Sequence, residues 1–243
     1  MPNTYEERTV NNVPEYLTLC MDLRSKGFWA FRGQRKQSWQ LGLHDPGLTE
    51  RLDENLEQFK KRCREFRFLD FIEAKGSEWD WLFYAQHHRL RTRLLDWTSN
   101  PLVALYYAVE TVLSRGCDKN DFGAVWALKV KREDFLSYDE LPPPSKLERW
   151  VMINPIPVTH RLARQSGKFS YHPDGDSMPL DTQPRRNDEE TLLKIGIGKA
   201  PGENPSREIR RHLGIMNVHY AQMFLNPDGI ARFINWEWGD LQH

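Results

Sequence analysis

In the run FWAFRGQ, Phe28 to Gln34, an arginine follows a largely aromatic stretch and a glycine follows the arginine. A strand that ends in Arg-Gly presents a guanidinium beside backbone with no side chain, which suits an anionic or polar group seated close to the main chain. A turn glycine after a surface arginine would give the same letters. What Arg32, Gly33 and Gln34 do therefore depends on what the rest of the chain brings to them.

The densest candidate chemistry lies in YAQHHRLRTRLLDWTSNPLVALYYA, Tyr84 to Ala108. His87 and His88 fall at an expected helix end, where they complement the helix dipole or accept a proton. No third ligand stands at a spacing that would make them a metal site. Arg89, Arg91 and Arg93 alternate, and in an extended segment alternate side chains project to one side, here as an anion-binding row. Asp96, inside RLLDW, is expected to be largely buried and paired with Arg93 or with backbone donors, because a carboxylate is costly to bury alone. Thr98, Ser99 and Asn100 open the next helix, where they either cap it or receive a phosphate or a ribose hydroxyl.

These residues need elements to hold them. VPEYLTLCMDLRSKG reads as a helix capped by Asn12 and stopped at Gly27, and FWAFR as a central strand with the arginine head at its end, facing a cleft. In the segment from Glu50 to Gly76, Leu52, Leu56, Phe59, Cys63 and Phe66 recur at steps of four and three, the stripe of a long amphipathic helix. SEWDWLFYAQHH predicts a shorter helix, TRLLDW a buried strand, and TSNPLVALYYAVETVLSRG a helix with Ser99 or Asn100 as its cap and Pro101 in its first turn. FGAVWALKVK alternates as a half-buried strand would. Residues 141 to 205 are broken by PPP, NPIP, HPDGD and APGENP, which predicts irregular loops around a few short strands. At the end of the chain, SREIRRHLG and VHYAQMFLN read as helices and IARFINWEW as a last strand. The expected organisation is one domain over residues 1–243, with residues 1–27 as an N-terminal helical extension.

Composition narrows the function classes. Lysine plus arginine and aspartate plus glutamate number 34 each, so any binding to nucleic acid must come from a local patch and not from a global field. Hydrophobic residues make up 39% of the 243, enough for a buried core. Cys20, Cys63 and Cys117 are odd in number and widely spaced, which argues against a disulfide framework and against zinc, and suits a reducing cytoplasm. No apolar run approaches the ~20 residues of a membrane span, and the first residues lack the pattern of a signal peptide, so no membrane partner is expected.

The runs FRGQ, AQHHRLRTRLLDWTSNPLVALYYA and RLARQSGKF, followed by LGIMNVHYAQMFLNPDGIARFI, together resemble the FRG domain, a family named for its Phe-Arg-Gly motif and known from bacterial and phage-encoded proteins. The chain departs from the family pattern at two positions. A glycine usually follows the histidine pair and a proline usually precedes the Thr-Arg, where this sequence has Arg89 and Arg91.

The order of elements also resembles that of ADP-ribosyltransferases. In those enzymes an aromatic-Arg-Gly strand end is followed by a strand leading through serine or threonine into an Ala-rich helix, and then by a glutamate-bearing segment. Arg32, DWTSNPLVALYYA and RLARQSGKF answer to these, with Gln165 near the glutamate position. The resemblance implies an α+β fold with a split mixed sheet and flanking helices. It implies NAD as co-substrate, no metal, and transfer of ADP-ribose to a protein or nucleic-acid target. Arg32, Gly33, Gln34, Arg93, Thr98 and Ser99 would hold the dinucleotide, and Arg32, His87, Asp96 and Gln165 would form the catalytic group. Because glutamine cannot answer developing positive charge as a carboxylate does, Asp96, Glu189 or Glu190 would have to supply one. A toxin or defence effector of this kind would have a neutralising antitoxin partner. Two other classes fit the same residues: a nucleotide or nucleic-acid binding module without chemistry, contacting phosphates through Arg32, Arg91 and Arg93, and a nuclease built on His87, His88 and Asp96.

Overall fold

The structure is a computed structural model that describes residues 5–42, 51–66, 76–110, 122–154, 166–173, 192–198, 205–224 and 227–241. Its strands are β1 (Glu6–Val10), β2 (Trp29–Gln34), β3 (Leu94–Thr98), β4 (Ala124–Lys129), β5 (Phe135–Ser137), β6 (Val151–Asn154), β7 (Gly167–Tyr171) and β8 (Leu192–Ile197). Its helices are α1 (Val13–Ser25), α2 (Leu52–Glu65), α3 (Glu78–His87), α4 (Pro101–Val109), α5 (Pro205–Ile215), α6 (Tyr220–Met223) and α7 (Pro227–Leu241). The eight strands form one mixed sheet in the order β1-β8-β4-β2-β3-β7-β6-β5, with flanking helices, which makes the fold α+β.

The sheet is zipped unevenly. β2 and β4 pair antiparallel in continuous register from Trp29↔Lys129 to Gln34↔Ala124, and β3 and β7 from Leu94↔Tyr171 to Thr98↔Gly167. Between β2 and β3 the register consists of one pair, Phe31↔Thr98. The sheet is therefore split between its fourth and fifth strands.

Packing follows the split. On the helical face, Trp29, Phe31, Val125, Ala127 and Ile195 pack under α1, α4, α5 and α6. Leu94, Val151, Ile153, Phe169 and Tyr171 pack under α2 and α3. On the other face Ala30, Trp126 and Leu128 meet Leu95, Trp97 and Met152, a cluster that spans the two halves.

Local sequence accounts for most of these elements. The side chain of Asn12 accepts the Glu15 N–H at the start of α1. Ser77 and Asp80 cap α3 reciprocally, and Asn100 accepts the Leu102 N–H with Pro101 opening α4. Gly27, with φ 139°, turns the chain from α1 into β2.

Four expectations need correction. β4 is buried on both faces, because it lies between β2 and β8 with hydrophobic clusters above and below. IARFINWEW lies within α7, a helix whose start at Pro227 and Asp228 outweighs the β-preference of its aromatic residues. Residues 6–10 form a strand, which pairs parallel with β8 at the sheet edge, while α1 buries Tyr16 and Cys20 in the core. Finally, β2 does not end at Arg32: its pairing to β4 continues through Gly33 and Gln34, and what stops at Phe31 is its pairing to β3. The expected continuation of α2 toward Gly76 falls largely on residues 67–75, outside those described, as do Cys117 and much of the segment from 141 to 205.

Candidate functional site

Where β2 and β3 part, Arg32 crosses the gap. Its Nη1 donates to the main-chain oxygen of Asp96 at 2.7 Å and lies 4.0 Å from Asp96 Oδ2. The Arg32 side chain is 19% exposed and that of Asp96 is 61% exposed. Burial pulls the guanidinium below its ordinary range, and the Asp96 carboxylate opposes that shift. Arg32 Nε is buried and, among the described residues, has no hydrogen-bond partner, the kind of orphaned donor that calls for an explanation.

The exposure of Asp96 overturns the expectation that it is buried, and its neighbour is Arg32, not Arg93. Along β3, Leu95 and Trp97 join the cluster on one face, and Leu94 packs under α3 on the other. Asp96 shares the face of Leu94 and is exposed there. Gln86, in the last turn of α3, reaches it: Nε2 donates to Asp96 Oδ2 at 2.9 Å. Gln86 Oε1 accepts from Thr92 Oγ1 at 2.8 Å, and Thr92 Oγ1 accepts from the Leu94 N–H at 3.1 Å. Neither Gln86 nor Thr92 was expected at the site. Gln86 stands beside the histidine pair that drew the chemistry to itself, and contact between a helix end and a strand carries no short-range sequence signal.

The other expected residues divide by position. His87 ends α3, next to Gln86, with its ring edge-on to His88 at 5.2 Å; His88 packs edge-on against Tyr84. Thr98 is buried, and its hydroxyl accepts the Asn100 N–H. The Ser99 N–H donates to the Ser166 carbonyl at 3.1 Å, and Arg24 of α1 donates to the Ser99 carbonyl. Gly33 faces α4 so closely that a Cβ there would lie 2.0 Å from the Ala104 carbonyl oxygen. Gln34 is buried; its Oε1 accepts from Trp126 Nε1 at 2.7 Å and its Nε2 donates to the Gln40 carbonyl at 3.1 Å.

Arg93 does not join a row with Arg89 and Arg91. It is 6% exposed and grips Asp53 of α2 in bidentate fashion at 3.1 and 2.8 Å, whereas Arg89 and Arg91 are exposed. Residues 89–91 lie outside any strand, so the alternation that would align the three guanidinium groups does not operate. Gln165, Glu189 and Glu190 lie outside the described residues.

Among the described residues, no group of three or more histidine, cysteine, aspartate or glutamate side chains could hold a metal ion. No helix among them is long and apolar enough to cross a membrane.

Comparison with known proteins bears on one stretch. No curated protein and no solved structure matches the chain. Residues 27–116 match the family model of the FRG domain, and this span runs from β2 through α2, α3 and β3 to α4. It contains Arg32, Gln86, His87, Thr92, Asp96 and Thr98 together. The stretch that builds the split and lines it with these side chains is thus the one similar to the FRG domain.

Proposed function

We propose that the chain is an ADP-ribosyltransferase-like enzyme that takes NAD as substrate and transfers ADP-ribose to a protein or nucleic-acid target. The single observation that carries this reading is the meeting of Arg32 and Asp96 at the split, a largely buried arginine side chain whose Nη1 lies 4.0 Å from an exposed carboxylate. NAD has complementary parts: an anionic pyrophosphate, and a glycosidic bond to nicotinamide whose cleavage builds positive charge on the ribose. Arg32 suits the anionic part as a planar donor. Asp96 suits the developing cation, and takes the place of the glutamate that Gln165 does not supply. In the reaction the C–N bond to nicotinamide breaks and nicotinamide leaves with the bonding electrons. The acceptor then attacks the same carbon and loses its proton, with His87 as the base nearest in sequence to the site. Positioning and field carry most of the rate. Thr98 and Ser99 support the site by fixing the turn from β3 into α4.

The test uses NAD carrying a labelled adenylate phosphate, incubated with the protein and a bacterial cell extract. Transfer of label with release of nicotinamide is the expected result. Asp96→Asn is expected to lose turnover by a factor of about 100 or more while melting close to the wild type. A wild-type protein that neither transfers label nor releases nicotinamide contradicts the reading. Binding of ADP-ribose without turnover would favour a nucleotide-binding module, which the exposed Arg89 and Arg91 beside the site also suit.

A further inference from the structure

We propose that Gln86 is a positioning residue, one that orients the Asp96 carboxylate so that its Oδ1 accepts a hydrogen bond from a ribose hydroxyl of the nucleotide; this rests on the proposed function. The hydrogen bonds from Asp96 through Gln86 and Thr92 to Leu94 run in one consistent direction. The Asp96 carboxylate only accepts, so Gln86 turns Nε2 toward Asp96 Oδ2, which leaves Gln86 Oε1 to accept from Thr92 Oγ1 while Thr92 Oγ1 accepts the Leu94 N–H. Thr92 thereby holds the amide on the side away from Asp96. Thr92, which holds the far end of the amide, is buried. The main-chain oxygen of Asp96 is meanwhile taken by Arg32. Oδ2 and the backbone are thus both held, while among the described residues no hydrogen bond engages Oδ1.

Stability gives little reason for this arrangement. A carboxylate as exposed as Asp96 is satisfied by water, so the net gain from an added amide partner is small, and holding a long glutamine side chain in one rotamer has an entropic cost. What the chain does supply is direction: one oxygen is tethered through Gln86 to the last turn of α3 and to buried Thr92, and the other has no protein partner among the described residues. A group held by its supporting neighbours is what a site needs for contacts that must be made within about half an ångström.

The test compares Gln86→Leu, Thr92→Val and Thr92→Ser with the wild type. Gln86→Leu is expected to lower kcat for NAD turnover about tenfold or more, the value of a hydrogen bond to a charged group. KM and the melting temperature should stay near the wild type, since the loss belongs to orientation and not to folding or ground-state binding. Thr92→Val should follow Gln86→Leu, and Thr92→Ser, which keeps the hydroxyl, should recover most of the loss. Unchanged kcat in Gln86→Leu, or a loss seen only in KM or melting temperature, overturns the proposal. A second arm does not need turnover: the Gln86 side-chain amide signals in a 15N spectrum should move in both Asp96→Asn and Thr92→Val. If the wild type consumes no NAD, the proposed reaction fails, and this arm still decides the positioning: signals that move uphold it, and signals that stay overturn it.

Discussion

Along its β4 edge, β2 is paired residue by residue from Trp29 to Gln34; along its β3 edge, pairing is confined to Phe31 and Thr98. The same six residues therefore build two different things. Toward β4 and α4 they make core, with Gly33 under the α4 backbone and Gln34 locked to Trp126. Toward β3 they leave a gap, bridged by Arg32 and lined by an exposed carboxylate. On the zipped edge, both ends of the Gln34 amide are spent inside the protein. On the split edge, Arg32 Nε has no hydrogen-bond partner among the described residues. Arg-Gly in FWAFRGQ is therefore two signals side by side: the glycine answers to packing and the arginine to the gap.

The difference can be broken from the zipped edge first. Gly33→Ala should be the most damaging single change in the strand, costing more than about 3 kcal/mol in denaturant unfolding, because the added Cβ meets backbone that cannot step aside. A near-neutral Gly33→Ala would mean that α4 does not approach β2 as described. Next in size, Gln34→Leu should cost about 1–3 kcal/mol by stranding the buried indole N–H of Trp126. Its nucleotide binding, measured at a temperature where the variant is folded, should be that of the wild type. A loss of binding with unchanged stability would move Gln34 from the core to the site.

How much of this was legible in the sequence depends on the range of the signal. The caps at Asn12, Ser77 and Asn100 and the helix stripe beginning at Leu52 are local, and the elements they start are where local rules put them. Flanking hydrophobic residues describe the strand and not what covers each of its positions, so they point to burial of Asp96, which is exposed. The partner of Arg93 was misread for a related reason. Asp53 lies 40 residues away on α2, and no spacing rule links a helix start to the beginning of a strand. Gln86 was passed over because an amide beside two histidines looks incidental until its two hydrogen bonds are seen. IARFINWEW shows the opposite error, in which composition favoured a strand and the proline at the helix start decided otherwise.

The central claim, that the split edge of β2 holds a nucleotide through Arg32, is tested most directly by titrating ADP-ribose into wild-type protein and Arg32→Lys by calorimetry, with a thermal melt of each. Lysine keeps the charge but loses the planar fork. The account predicts that the wild type binds, and that Arg32→Lys loses about 2 kcal/mol or more of binding free energy while its folding stability changes by no more than ~1 kcal/mol. Equal affinity in the two proteins, or a loss of binding that appears only because Arg32→Lys unfolds, would contradict it and leave Arg32 as a brace between two half-sheets.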